Sequence, residues 1–283
     1  MGSRHPTAPG RRARLLGERR LPRLRRPVAR TALPGRLSAR LTWRVATLAE
    51  TQDETATART LRLDVPDWPG HLSGQHVDVR LTDEDGYSAQ RSYSLAAPAD
   101  GDRIELTVQR IADGEVSAYL ADTYAVGDPI EVRGPVGGWF VWRPADPAPV
   151  LLVAGGSGIV PLMAMIRTRR QTGSRAPFRL VYSVRSPADQ YYTPELRRSA
   201  RDDGGLDVAV VYTRSAPDGW SRPPGRITAA DLASLGWPAS LEPSCYVCGP
   251  TGFVEAAASA LVDQGHDPRR IRTERFGPSG SGG

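Results

Sequence analysis

The stretch "WRPADPAP", residues 142 to 149, separates two parts of the chain that obey different hydrophobic periods. Before it, apolar residues alternate with polar ones: Leu61, Leu63 and Val65, then Val77, Val79 and Leu81, then Ile104, Leu106 and Val108. Period two puts one face of each segment in a core and the other toward water, the pattern of a half-buried strand. The turn signals "DWPG", "DEDG", "ADGD" and "VGDP" divide the region into six short strands, with one helical stretch at Val116 to Thr123. Strands of this length closed by turns predict a six-stranded antiparallel β-barrel. After the boundary the apolar runs are continuous: "VLLVAG", "FRLVYSV", "LDVAVVYT" and "CYVCG", with a last strand near Arg270 to Glu274. Helical stretches near 160–171, 194–202, 228–235 and 252–264 fall between them. Continuous apolar strands spaced by helices predict an α/β domain with a five-stranded parallel sheet covered on both faces. The expected organisation is a basic arm at 1–38, a barrel domain at 39–143, an α/β domain at 148–277 and a flexible tail at 278–283.

The net charge of +6 hides an asymmetry. The first 44 residues hold 13 arginines and one acid, a net +12, which leaves −6 for the rest. The arm has frequent prolines and no apolar period, so disorder is expected there. It lacks the interleaved aromatics of a nucleic-acid-binding segment, and its paired arginines precede no apolar stretch of a secretion signal. The chain contains no lysine, which reads as coding bias rather than function. Its longest apolar runs, such as Val150 to Ala154, are far too short to span a bilayer. The four histidines have no metal-like spacing, and no metal site is expected. A cytoplasmic protein is the expectation.

Four stretches carry chemistry. In "RSYS", alternation places Arg91 and Tyr93 on one strand face and Ser92 and Ser94 on the other. In "ADGEVSAYL", Gly114 precedes a short helix containing Val116 and Ser117, a place where amides and a hydroxyl suit a phosphate. In "VLLVAGGSGIVPLMAMIR", an apolar strand runs into Gly155, Gly156 and Gly158 and then a helix with Pro161 near its start. Glycines let backbone amides approach a phosphate, and a helix N-terminus favours negative charge. Pro161 stands where G-x-G-x-x-G needs its third glycine, and Ile159 breaks G-x-S-x-G, which removes a hydrolase elbow. "CYVCGP" holds both cysteines. Residues three apart on a strand lie roughly 10 Å from each other, and bridged cysteines need Cα atoms within about 7 Å. Cys245 therefore reads as core, and Cys248 lies at the crevice end of the strand, followed by Gly249 and Pro250.

In this order the pieces resemble the ferredoxin–NADP reductase family of flavoprotein oxidoreductases. "RSYS" resembles its R-x-Y-S flavin motif, "GEVS" its G-x-x-S and "RGPVGGWF" its G-P-x-G-x-F turn. "GGSGIVP" resembles its nucleotide loop, "CGP" its cysteine motif and "ERF" its E-x-F, so that the match covers roughly residues 40 to 277. The resemblance implies that Arg91 meets flavin phosphate, Tyr93 lies against the ring and ribityl part, and Ser94 bonds near N5. It implies that Gly114, Val116 and Ser117 meet the pyrophosphate of FAD. It places Gly155, Gly156, Gly158 and Pro161 at the nicotinamide nucleotide, Cys248 with Gly249 and Pro250 beside the nicotinamide, and Glu274 and Phe276 near the flavin ring. Ser94, Cys248, Glu274 and Phe276 are thus the implied catalytic set.

The implied activity is hydride transfer from NAD(P)H to FAD, with electrons passed to a separate acceptor such as a ferredoxin or oxygenase component. Two other readings stand beside it: a reductase acting directly on a small molecule, and a non-catalytic flavin- or nucleotide-binding subunit of a larger redox complex. A fused plant-type ferredoxin domain would need four cysteines beyond the two present, so any iron–sulfur partner is expected to be a separate protein. NADPH is expected to be preferred over NADH. Thr213 and Arg214 end the strand whose tip meets the adenosine ribose in the family, Arg185 lies at the neighbouring tip, and guanidinium pairs with a 2′-phosphate.

Overall fold

The computed structural model describes residues 41–83 and 85–277; the expected basic arm and tail lie outside the described residues. The first domain is one antiparallel sheet. Its strands are β1 (Trp43–Thr55), β2 (Ala58–Asp64), β3 (His76–Thr82), β4 (Ser88–Ser94), β5 (Arg103–Gln109) and β6 (Pro129–Val136). Their order is β4-β3-β6-β1-β2-β5, and a bridge between Leu95 and Leu106 joins the two edges. The alternating residues do what their period requires: Leu61, Leu63, Val77, Val79, Ile104, Leu106 and Val108 fill the barrel interior.

The helical stretch expected at Val116 to Thr123 is present, but only its first turn is an α-helix. A short helix, α1 (Glu115–Ala118), passes directly into a π-helical turn over Tyr119–Thr123. The wide turn has a packing reason. It lets Val116, Leu120 and Tyr124 all enter the barrel core. Arg59 satisfies the carbonyl of Tyr124 at 3.0 Å, with that of Ala121 at 3.4 Å.

The second domain alternates strand and helix: β7 (Val150–Gly155), α2 (Ile159–Thr172), β8 (Phe178–Val184), α3 (Thr193–Asp202), β9 (Leu206–Tyr212), α4 (Ala229–Leu235), β10 (Ser244–Pro250), α5 (Thr251–Asp263) and β11 (Ile271–Phe276). The sheet order is β11-β10-β7-β8-β9, and every pairing is parallel. The last strand runs to Phe276, two residues past the expected end. The chain winds outward from β7 through β8 to β9, then crosses back to β10 on the other side of β7. The carboxyl ends of β7 and β10 therefore flank a topological switch point, where open α/β sheets bind ligands.

The segment between the domains is pinned rather than loose. Trp142 is buried with its ring edge-on to Phe178 at 5.0 Å, and Tyr246 donates to the carbonyl of Val141 at 3.0 Å. Ser73, from the loop before β3, donates to the carbonyl of Ala164 in α2 at 3.1 Å.

The crossing of α2 over β10 tolerates no side chain at Gly158. A Cβ there would lie 2.1 Å from the carbonyl oxygen of Cys248 and 2.8 Å from the amide nitrogen of Gly249. Gly158→Ala forces α2 or β10 to shift and is expected to cost about 1–3 kcal/mol. A thermal melt beside the parent checks this; an unchanged Tm would mean that the helix start is not held against the strand.

Candidate functional site

Three groups of sequence-marked residues meet where the two domains face each other. The first lies on the barrel seam. β4 pairs only with β3, and β5 only with β2, so between them the sheet is open except at the Leu95–Leu106 bridge. The loop into α1 covers the far end, where Tyr87 donates to Glu115 at 3.2 Å. Alternation sets the side chains. Arg91 and Tyr93 sit opposite the core residues Val79 and Val77, while Ser92 sits opposite Asp78 and donates to it at 2.7 Å. Tyr93 rests on the barrel core, and burial pushes its phenol up to about 12. Arg91 is exposed and reaches only its neighbour Gln90's carbonyl, at 2.7 Å; among the described residues it has no acidic partner.

Gly114 stands where a Cβ would meet Ser117 Oγ at 2.4 Å. Ser117 is buried. Its hydroxyl accepts from the amide of Ile111 at 3.2 Å and donates to the carbonyl of Gly114 at 3.1 Å, closing the loop on itself. Val116 is core.

The second group is the glycine crevice. Gly155 ends β7 with Phe253 packed so closely that a Cβ would lie 2.7 Å from its ring. Gly249 meets the same ring at 2.8 Å. Gly156 takes φ +54° with open space where a Cβ would be. Pro161 is in the first turn of α2, where its missing N–H breaks no helical bond. The helices starting at Ile159 and Thr251 have no side-chain cap at their N-termini, which leaves first-turn amides available beside Gly156 and Pro250. Cys248 is fully buried within β10, which continues to Pro250. Burial and the neighbouring Glu274 push its thiol well up, so it is neutral. Cys245 is also buried and unpaired, pushed up to about 12 by burial.

The third group is where these two meet. His76 pairs with Ser94 across β3 and β4, and Cys248 pairs with Glu274 across β10 and β11. His76 Nδ1 lies 3.8 Å from Glu274 Oε1, which brings the pairs together. Glu274 Oε2 is buried without a hydrogen-bond partner. Burial pushes both groups toward their neutral forms: His76 is lowered and Glu274 is raised to about 7. The contact is therefore between polar neutral groups rather than a firm ion pair. Phe276 packs on the cluster that includes Ala96, Phe140 and Cys248.

The strand-tip residues lie apart from this centre, on the β8–β9 side. The amide of Thr213 donates to the carbonyl of Val184 at 2.8 Å, and that of Arg214 to the carbonyl of Arg185 at 2.9 Å. Both arginines are exposed, and neither has an acidic partner among the described residues. Tyr212 and Trp220 form an edge-on pair beside them, with centroids 5.1 Å apart.

Sequence reading missed His76, Phe253 and Arg167. From α2, Arg167 donates to the carbonyl of Ala96 at 2.9 Å, to both oxygens of Glu195 at 3.0 and 2.6 Å, and to Glu105. An aromatic following C-G-P was a usable signal for Phe253; nothing in "MIRTRR" singles out Arg167.

The residues fit the two groups that the motifs imply. An unpaired strand edge with a free guanidinium and an aromatic wall suits a planar ligand bearing phosphate. A glycine turn with uncapped helix starts suits a second one.

Comparison with known proteins agrees. The profile for "Oxidoreductase FAD-binding domain" matches residues 45–141, and that for "Oxidoreductase NAD-binding domain" matches 152–259. The reductase subunit of an aromatic O-demethylase from Amycolatopsis is 32% identical over 259 residues, covering 89% of this chain and 75% of that one. A ferredoxin–NAD(P)(+) reductase component of naphthalene dioxygenase and salicylate hydroxylase systems from Ralstonia is 30% identical, covering 83% and 69%. The chain spans 56% of the glycine betaine monooxygenase reductase subunit of Pseudomonas aeruginosa, at 32% identity and 73% of its own length. Among solved structures, the FAD/NAD-binding domain of a nitric oxide dioxygenase from Vibrio cholerae superposes with TM-score 0.74 at 27% identity, covering 83% of this chain and 99% of that one. An Amycolatopsis cytochrome P450 reductase does so with TM-score 0.74 at 31%, covering 88% and 74%.

The raised carboxyl of Glu274 makes a pH-dependent contribution of defined sign. Its ordinary value is 4.5 and its folded value about 7. Below about pH 4.5 it is protonated in both states and costs nothing. Between there and pH 7 the unfolded chain releases the proton more readily, so stability falls. Above pH 7 the penalty is full, on the order of 3 kcal/mol. Glu274→Gln is therefore expected to be more stable than the parent at pH 8, with the advantage gone near pH 4.5. Urea unfolding at both pH values checks this, and an advantage independent of pH would reject it.

Proposed function

This chain belongs to the ferredoxin–NADP reductase family of flavoprotein oxidoreductases, and we propose that it is an NAD(P)H-dependent reductase that carries electrons through FAD to a separate protein. One observation carries this reading. Ser94 and His76 from the barrel, and Cys248 and Glu274 from the parallel sheet, are brought together by the His76–Glu274 contact. Two cofactors held by separate domains would thus have their reactive ends in one place. When bound, the flavin accepts hydride from a reduced nicotinamide and releases the electrons singly or in pairs.

The chain's residues hold and orient. Arg91 would pair with flavin phosphate and Tyr93 would wall the ring; the amides of Val116 and Ser117, in the turn that Gly114 opens, would take the second phosphate, since the Ser117 hydroxyl and the Gly114 amide are engaged in their own loop. Ser94 offers a hydroxyl at the strand's end. Gly155, Gly156, Gly158 and Pro161 form the nucleotide cradle with Gly249 and Pro250. Cys248 supplies a small neutral wall at the nicotinamide, without covalent chemistry. Glu274, its carboxyl raised to about 7 by burial, would hold or release a proton beside His76 and Cys248. Phe276, packed on the cluster that includes Cys248, would cover the flavin face and give way to the nucleotide.

The relatives named above as subunits or components of demethylase and dioxygenase systems support an oxygenase or ferredoxin component as the acceptor. Among the described residues no helix is long and apolar enough to cross a membrane. We assign the protein to the cytoplasm, in line with the reductase components it resembles.

The purified protein should show a flavin spectrum that bleaches anaerobically on adding NADPH. A bound flavin that no nicotinamide nucleotide reduces would reject the enzyme reading. Arg91→Ala removes a charge-assisted contact worth about 1.5–3 kcal/mol, so it should purify largely without flavin; heat release and chromatography identify the cofactor as FAD or FMN.

NADPH should be preferred over NADH because Arg185 and Arg214 lie at adjacent strand tips, exposed and without acids. Arg214→Ala is expected to lower kcat/KM for NADPH about tenfold or more while sparing NADH. Equal losses with both nucleotides would remove Arg214 from the 2′-phosphate site.

A further inference from the structure

Arg167 lies in the interior of α2, eight residues after the glycine loop ends at Ile159. That is about 12 Å along the helix axis at ~1.5 Å per residue. Its guanidinium uses four N–H groups. Nε and Nη2 hold the two oxygens of Glu195 at 3.0 and 2.6 Å, and Nη1 holds both the Ala96 carbonyl at 2.9 Å and Glu105. Ala96 stands two residues after Ser94, and its own amide bonds the carbonyl of Glu105 at 2.8 Å. Glu105 is almost fully buried, and its other oxygen takes Arg62 at 3.1 Å. The result is a chain of ion pairs running from the barrel surface, through the domain boundary, to α3.

A second observation points the same way. Tyr192, beside the guanidinium at 5.0 Å, has φ +55°, an unfavourable conformation for a tyrosine. It is held there from the barrel: its amide donates to Glu54 of β1 at 2.9 Å, and its hydroxyl donates to Thr107 of β5. A strained residue tied to the opposite domain marks a boundary fixed in one arrangement.

We propose that Arg167 is a positioning residue for hydride transfer: by joining the helix that starts at the nucleotide loop to the chain that leaves the flavin strand, it sets the approach of the two cofactors without touching either. This rests on the reductase reading above. Reaction between two bound groups depends on sub-ångström placement, and the planar fork contributes four directed bonds where a lysine has three donors and no fixed plane.

The test uses the flavin-loaded full chain as parent, Arg167→Lys, Arg167→Ala and, in case either fails to fold, Glu195→Gln, which weakens only the bidentate arm. Flavin content and the Kd for NADP⁺ by difference spectroscopy should stay within about twofold of the parent, because no contact with either ligand is removed. The limiting rate of flavin reduction in stopped flow should fall about tenfold or more in both Arg167 variants, and less in Glu195→Gln. Amide exchange should quicken over Ser94–Ala97 and the first turns of α2. Faster exchange with an unchanged reduction rate would make Arg167 a structural tie only and overturn the proposal, as would a loss of nucleotide affinity equal to the loss of rate. A parent reduced by neither NADPH nor NADH would reject the reductase reading instead; unchanged exchange in Arg167→Ala would then separately reject the clamp.

Discussion

The carbonyl of Cys248 lies so close to Gly158 that no side chain fits between them, and much of the molecule follows from that contact. It presses the start of α2 onto β10, and so fixes both walls of the crevice at the switch point. The direction of α2 is then set. Its buried side carries Met163, Ala164 and Ile166 across the sheet, and Arg167 emerges at the barrel. A helix held at its first turn by strand packing and at its third by ion pairs has little freedom to rotate. The glycine turn and the chain leaving β4 are therefore joined through one helix.

Charge placement divides the arginines into two populations. Most have acidic partners: Arg62 with Glu50 and Glu105, Arg80 with Glu131, Arg133 with Asp78, Arg169 with Asp203, Arg222 with Asp231. The arginines of this first group are half-buried, and Arg169 is buried, so their pairs tie neighbouring elements together. Arg91, Arg185 and Arg214 have none among the described residues, but neither do the exposed Arg143, Arg175, Arg197, Arg198 and Arg226; what sets the three apart is their place at the β4 edge and the β8 and β9 tips. Position at a sheet edge or strand tip, rather than the lack of an acid, is the more informative observation. In a chain whose every basic residue other than histidine is arginine, residue type alone could not distinguish the two groups.

The fold was legible because two periods are hard to confuse. Alternation at Val77, Val79 and Ile104, Leu106, Val108 marks strands wet on one face, and runs such as "VLLVAG" mark strands covered on both. The glycines were legible as a turn, since their spacing follows an apolar strand. What resisted reading was anything decided by the second domain's cover over the first. Glu105 and Thr107 alternate with core residues and read as solvent-facing, yet both are buried beneath Tyr192 and Arg167. His76 stands on the outer face of β3 by the same rule and gains meaning only because β11 ends against it. The π turn at Tyr119 was equally hidden, because Tyr124 must be known to be core before the widening has a cause.

Cys248 shows how one position answers to several constraints. Its backbone oxygen is the surface against which Gly158 packs, its strand partner is Glu274, and its side chain is wholly buried. A larger residue would need space that the packed sheet and α2 do not leave. An ionised one would sit beside a carboxyl that burial already holds near neutrality, where a second negative charge is disfavoured. The thiol is thus held protonated, and thiolate chemistry is closed to it. Disulfide formation with Cys245 is closed by the strand that carries both. What remains is a small, polarisable group at a fixed place beside Glu274.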